Sequence, residues 1–246
     1  MDAAPINWVV WCDCEVQESE ARLGIEAAGA PGVRDSYHEM FERARASVQH
    51  NLAGSWRELV ITDSAPTRTA MFLRNYHRIR DLWHQAPANI LFLDSDTVMV
   101  KPVEIWGRFL QFRLFNWTTP PRSPEFEHYF NSAVRYYPHT MSAEVWRLGD
   151  SLIDHWRDDC YDYEQQVFNH MFWSQNLRWD DAHHPELNWQ ADRGITAQEI
   201  AAHHGFNTLP IQHARIIHYH GTRSHSRGLA VSELLCRSAL IPGTRP

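Results

Sequence analysis

The chain has 246 residues, 43% hydrophobic and 22% charged, enough apolar material for one large domain to bury a core without disulfide help. Thirty acidic side chains against 23 basic ones leave a net charge of −7, which argues against nucleic-acid binding driven by net charge. No stretch approaches the roughly 20 apolar residues of a spanning helix, and the opening Met1-Asp2-Ala3-Ala4-Pro5 lacks the basic start of a secretory signal. A cytoplasmic protein without a membrane span is expected. Cys12, Cys14, Cys160 and Cys236 are too few for a disulfide scaffold, and Cys12-x-Cys14 has no second pair to complete a metal clip. All basic side chains but Lys101 are arginine, so a reaction that needs a catalytic lysine has one candidate.

Ile6–Cys12 is a short apolar run closed by Asp13 and reads as a buried first strand. Ser36–Gln49 has helical spacing, with Tyr37, Met40, Phe41, Ala44 and Val48 on one face. Arg57–Thr62 reads as a second strand, stopped by Asp63-Ser64-Ala65-Pro66. Thr69–Trp83 is a helix whose stripe is Met71, Phe72, Tyr76, Ile79 and Trp83, and Asn89–Leu93 is a third buried strand. Alternating strands and helices at this spacing predict an α/β fold with a single mixed, mostly parallel sheet flanked by helices. In the second half, Phe112–Trp117 and Tyr129–Tyr137 read as strands around a Pro-rich loop, Thr118–Glu127. Ser142–Trp156 and Tyr163–Trp173 read as helices, the first capped by Ser142, and Arg215–Tyr219 as a late strand. No linker splits the chain, so residues 1–246 are expected to form one domain. The paired histidines His183-His184 and His203-His204, with His213, match no metal-ligand spacing and read as surface residues.

The most informative stretch is Ile90-Leu91-Phe92-Leu93-Asp94-Ser95-Asp96-Thr97-Val98. Four apolar residues hold the backbone in a sheet, and two carboxylates follow at i and i+2. In a continuing strand they share one side; in a turn they converge on one point. Ligand crevices of open α/β sheets lie at this carboxyl end. Two like charges held close favour a cation, and oxygen ligands suit Mg²⁺ or Mn²⁺.

Two families carry such an element. Leu91–Val98 resembles the opening motif of the haloacid-dehalogenase-like phosphatases, which implies Asp94 as nucleophile, Asp96 as acid and a downstream lysine or arginine. That motif normally opens its chain, and Lys101 follows too soon for the basic role. The second resemblance is to the GT-A glycosyltransferases, in particular the retaining family of glycogenin and bacterial galactosyltransferases. Three further segments carry it, in order. Phe130-Asn131-Ser132-Ala133-Val134 is similar to the family's F-N-S-G-V. Glu164-Gln165-Gln166-Val167-Phe168-Asn169 is similar to D-Q-x-x-L-N, and Ile216-Ile217-His218-Tyr219-His220-Gly221 to h-h-H-x-x-G.

This resemblance implies a GT-A fold, with about residues 1–100 binding the nucleotide and about 101–246 the sugar and acceptor. It implies Asp94, Asp96 and His218 as ligands of Mn²⁺ or Mg²⁺, with His220 next in line if the register is off by two. It implies a nucleotide-sugar donor, UDP-linked, whose sugar meets Glu164 and Gln165, the candidate catalytic residues. Donor contacts are expected from Trp11, Asp13, Ser95, Asn131 and Gly221. The family's phosphate-clamping lysine is absent, and Arg223 or Arg227 takes its place. Arg74 and Arg78 share a helix face and either reach the donor or stay solvated. The acceptor hydroxyl, on a glycan, a protein or a hydroxymethylated nucleobase, is not specified. The alternatives are the phosphatase and a catalytically silent sugar-nucleotide binding module.

Overall fold

Ala88–Leu93 (β3) forms the spine of the sheet because residues Ile90 to Leu93 are apolar on both faces and each is at most 1% exposed. The computed structural model describes residues 4–14, 33–104, 130–156, 163–175, 184, 186–190 and 213–218. Within these, the elements run β1 (Ile6–Cys12), α1 (Val33–Asn51), β2 (Arg57–Ile61), α2 (Arg68–Gln85), β3, β4 (Thr97–Met99), β5 (Val134–Tyr137), α3 (Ala143–Trp156), α4 (Tyr163–Trp173), β6 (Trp189–Gln190) and β7 (Ile216–His218). The four-stranded sheet has the order β2-β1-β3-β5. β1 pairs parallel with β2 and β3, while β5 runs antiparallel to β3. This is the expected mixed, mostly parallel sheet. Beside it stands a three-stranded sheet, β4-β7-β6, which sequence patterning did not reveal because all three of its strands are three residues or shorter. The expected strand Phe112–Trp117 and loop Thr118–Glu127 lie outside the described residues.

Alternation along the strands divides the core. Val10, Ile90, Phe92 and Tyr137 pack under α2, α3 and α4 against Phe72, Tyr76, Ile79, Trp146 and Phe168. Val9, Trp11, Leu91, Leu93, Val134 and Tyr136 face the other way, onto Phe41, Ala44 and Val48 of α1. The stripes expected on the first two helices are core at Met40, Phe41, Ala44 and Val48 and at Phe72, Tyr76 and Ile79, with Met71 and Trp83 half-buried; the Tyr37 side chain lies outside what the structure describes. The side chain of Thr67 caps α2 by accepting from the Ala70 N–H at 3.0 Å.

The helical layer closes at Gly149. The Tyr76 hydroxyl donates to the Trp146 carbonyl and to Asp150, each at 3.1 Å. A Cβ at Gly149 meets Met171 Sδ at 2.8 Å and the Tyr76 hydroxyl closer still. Gly149→Ala is expected to destabilise the fold by about 1–3 kcal/mol through overpacking, read as a lower urea midpoint with an unchanged m value.

Candidate functional site

β3 runs into a turn. The Thr97 N–H and hydroxyl both donate to the Asp94 carbonyl, at 3.1 and 2.7 Å, closing Asp94-Ser95-Asp96-Thr97 on itself. Of the two geometries open to the acidic pair, the turn is the one adopted. The Asp94 N–H donates to the Ala133 carbonyl at 2.9 Å, fastening the turn to the segment that leads into β5. β4 leaves the turn and pairs antiparallel with β7, Thr97 opposite His218. That register sets His218 Nε2 3.2 Å from Asp96 Oδ1. Asp94, Asp96 and His218 each offer a ligand atom, and these atoms lie within 4.8 Å of one another. Asp96 and His218 are buried and Asp94 half-buried.

Two α1 side chains hold β4 in place. Met99 N–H donates to Ser47 Oγ at 2.9 Å, and Asn51 Nδ2 donates to the Met99 carbonyl at 2.8 Å. Both side chains are buried polar residues on a helix read from its apolar stripe alone, so patterning gave them no role.

The electrostatics of the cluster favour a cation. Burial, then repulsion from Asp96, push the Asp94 carboxyl up to about 7, with Arg135 and His218 pulling it down and Glu164 adding to the repulsion. Two carboxylate oxygens and an imidazole nitrogen form a donor set that suits Mn²⁺, and Mg²⁺ less well because of the nitrogen. The residues present thus fit a divalent ion.

A second wall joins Phe130–Val134 to the start of α4. Gln165 Oε1 accepts from Asn131 Nδ2 at 3.1 Å and from the Ser132 N–H at 3.2 Å. Asn131 Oδ1 accepts from the Ala133 N–H at 3.0 Å and from Asn188 Nδ2 at 3.3 Å. Asn169 grips the Phe130 backbone from both sides, accepting from its N–H at 2.7 Å and donating to its carbonyl at 2.8 Å. Glu164 Oε1 accepts from a guanidinium nitrogen of Arg135 at 3.0 Å. The fold brings Asn131 against Gln165, with Glu164 beside Gln165 on the first turn of α4. Asn188 and Arg135 were missed. A lone charge in the otherwise apolar Val134-Arg135-Tyr136-Tyr137 was the available signal for Arg135.

Asp13 and the α2 residues Arg74 and Arg78 gather near the ends of β1 and β2. Asp13 N–H donates to the Ile61 carbonyl at 2.9 Å, and the Asp13 carboxylate lies 3.1 Å from His38 Nδ1. Arg74 donates to the carbonyls of Asp63 and Ser64 at 2.7 and 2.6 Å, and Arg78 lies 3.7 Å from the Asp63 carboxylate. Both arginines therefore engage the segment after β2. The Cys14 thiol donates to the Ile61 carbonyl at 3.2 Å, and its pKa is lowered by its hydrogen bond with Cys12 and by the charge of Arg74. Trp11 departs from expectation. It is 1% exposed and meets Phe41 edge-on, because its place in β1 turns it into the α1 face of the core, so it has no open face for a ligand. Ser95 sits half-buried in the acidic turn. Gly221, Arg223, His220 and Arg227 lie outside the described residues.

No protein-family model and no curated protein matches the chain. Solved structures do. A glycosyltransferase involved in the glycosylation of the major capsid of PBCV-1 aligns over 94% of this chain and 100% of its own, at 14% identity and a TM-score of 0.54. The glycosyltransferase GlyE of Streptococcus pneumoniae TIGR4, in its apo form, aligns over 94% of this chain with a TM-score of 0.52 at 15% identity; this chain covers 62% of its length. The fold is GT-A.

On this GT-A sheet the acidic turn occupies the carboxyl end of β3, where open α/β sheets bind their ligands. Among the described residues no helix is long and apolar enough to cross a membrane. The cluster has a measurable consequence. Native Asp94 holds its proton more tightly than the unfolded chain does, between its ordinary 3.8 and about 7. Stability without metal is therefore expected to fall as pH rises through that window. Metal binding displaces that proton, so Mn²⁺ should raise Tm more at about pH 8 than at about pH 5.5. Asp94→Asn should flatten the metal-free slope and abolish the Mn²⁺ shift in the same melting series. A full Mn²⁺ shift in that variant removes Asp94 from the ligand set.

Proposed function

We propose that this protein is a metal-dependent glycosyltransferase that moves a sugar from a nucleotide-sugar donor, UDP-linked, to an acceptor hydroxyl with retention at the anomeric carbon. The observation that carries the reading is the convergence of Asp94, Asp96 and His218 within 4.8 Å at the carboxyl end of a GT-A sheet. Asp94, Asp96 and His218 would hold a Mn²⁺ ion, which would supply charge neutralisation for a departing nucleoside diphosphate.

The chain's own residues do the rest. Asp13, just after β1, and Arg74 of α2, which donates to the carbonyls after β2, lie on the donor's nucleotide side, and Ser95 in the acidic turn on its phosphate side. Asn131, fixed by Gln165 and Asn188, presents an oriented amide to the sugar or acceptor. Glu164 and Gln165, on the first turn of α4, bind the donor sugar and orient its anomeric carbon. Residues 1–100 serve as the nucleotide-binding half and 101–246 as the sugar and acceptor half. Gly221 and Arg223 complete the phosphate side in this reading. A cytoplasmic location accords with Cys12 and Cys14, both free thiols.

The dehalogenase-like alternative requires Asp94 to attack phosphorus with a basic residue beside it. Here Asp94 shares its cluster with Asp96 and His218 on a GT-A fold, which favours the transferase. The silent-module alternative differs only in turnover. The expected outcome is Mn²⁺-dependent release of UDP from a UDP-sugar, falling at least about 100-fold in Asp96→Ala, since loss of a ligand removes the cation that stabilises the leaving group. UDP binding that needs Mn²⁺ without any release identifies the silent module. Phosphate release from p-nitrophenyl phosphate, lost in Asp94→Asn, identifies the phosphatase.

A further inference from the structure

Arg135 is a charged residue in the wrong kind of place. It lies in the middle of β5, directly opposite Phe92 of β3, and is 1% exposed. Its guanidinium carbon sits 3.8 Å from the ring centre of Phe92 and 4.0 Å from that of Phe168. The plane of the guanidinium is therefore clamped between two aromatic faces, one from the sheet and one from α4. Among the described residues its ion-pair partner is the Glu164 carboxylate at 3.0 Å, and its Nε has no hydrogen-bond partner.

Stability does not account for this arrangement. Desolvating a guanidinium is unfavourable, an unmet Nε–H adds to that, and well-packed apolar residues usually do as well in such a position. The arrangement does deliver placement. Glu164 is the first acidic residue of α4, a quarter exposed, with Oε1 tied to Arg135 and, among the described residues, no partner for Oε2. A glutamate has one more rotatable bond than the aspartate of the motif it resembles, so an open glutamate samples several positions. Anchoring one oxygen to an immobile guanidinium removes that freedom and leaves the other oxygen for a ligand.

We propose that Arg135 is a positioning residue that acts through Glu164, locking its carboxylate so that the second oxygen meets a hydroxyl of the donor sugar. This rests on the glycosyltransferase reading above. It assigns a role to a side chain outside every motif that pointed to the fold.

The test is a double-mutant cycle on the full chain with Mn²⁺, using UDP, UDP-glucose and UDP-galactose as probes. Arg135→Met keeps the space between the two rings filled, and Arg135→Lys keeps the charge without the planar fork. Melting curves with and without Mn²⁺ first establish that each variant folds and retains the metal response. Calorimetry then measures how much more tightly a UDP-sugar binds than UDP alone, and steady-state UDP release gives kcat and KM.

Arg135→Met is expected to lose the extra affinity conferred by the sugar and to lower kcat at least about tenfold, with UDP affinity within about threefold of the parent. Glu164→Gln should show the same pattern. The double variant should be no worse than Glu164→Gln alone, because both changes remove one interaction. Arg135→Lys should recover only part of the loss. Parent-like sugar discrimination and kcat in Arg135→Met, or losses that multiply in the double variant, overturn the proposal. Parent protein that binds no UDP in the presence of Mn²⁺ overturns the glycosyltransferase reading, and this proposal with it. A defect confined to Tm, with sugar discrimination intact, leaves Arg135 a structural residue and also overturns the proposal.

Discussion

The register that sets Thr97 opposite His218 governs the acidic end of this sheet. Side chains alternate across a strand, so a slip of one residue in β7 turns the imidazole to the opposite face and dissolves the three-residue cluster. β4 is short and contributes little pairing energy of its own. Its position is held from outside, by Ser47 and Asn51 of α1 on the Met99 backbone and by the Arg215 carbonyl on Val100 at 2.7 Å. The acidic turn is likewise held by the Ala133 carbonyl. Packing and hydrogen bonding far from the carboxylates thus keep two like charges close together, and that repulsion is available to favour a cation.

The same logic extends to the Glu164 side of the site. Arg135 belongs to the face of β5 that meets α2, α3 and α4, in the layer that elsewhere holds Phe92 of β3, Tyr137 of β5 and Phe168 of α4. A cation in that layer is tolerated because aromatic faces and one carboxylate surround it. The acidic turn, the Asn131 segment and the first turn of α4 all converge on the carboxyl end of β3. The Asp94 N–H ties the turn to the Ala133 carbonyl, and Gln165 Oε1 ties α4 to the Ser132 N–H. The wall is built as a network, which limits the motion of any one member.

Much of this was legible in the residues. β1 and β3 read as buried strands because they are apolar runs closed by aspartates, and the helices read from their 3.6-residue stripes. Asp94, Asp96 and His218 stood out by residue type and motif, as did Asn131 with Gln165. Other features were not legible. β4 and β6 are too short to carry a period, and they are strands only because β7 lies between them. Trp11 was expected near a ligand, yet its parity in β1 sends it to the core. Ser47, Asn51, Asn188 and Arg135 draw their roles from partners that lie far from them in the chain.

By itself the amino-acid sequence determined the kinds of element, their order and the chemical groups available, because helix and strand preferences arise from interactions within a few residues. The tertiary structure decided which groups meet. Whether Asp94 and Asp96 continue a strand or turn, which face His218 occupies and which carboxylate Arg135 pairs with all depend on contacts between distant segments. Such contacts form only when burial of the shared core offsets the entropy of closing long loops, and no local pattern records that balance.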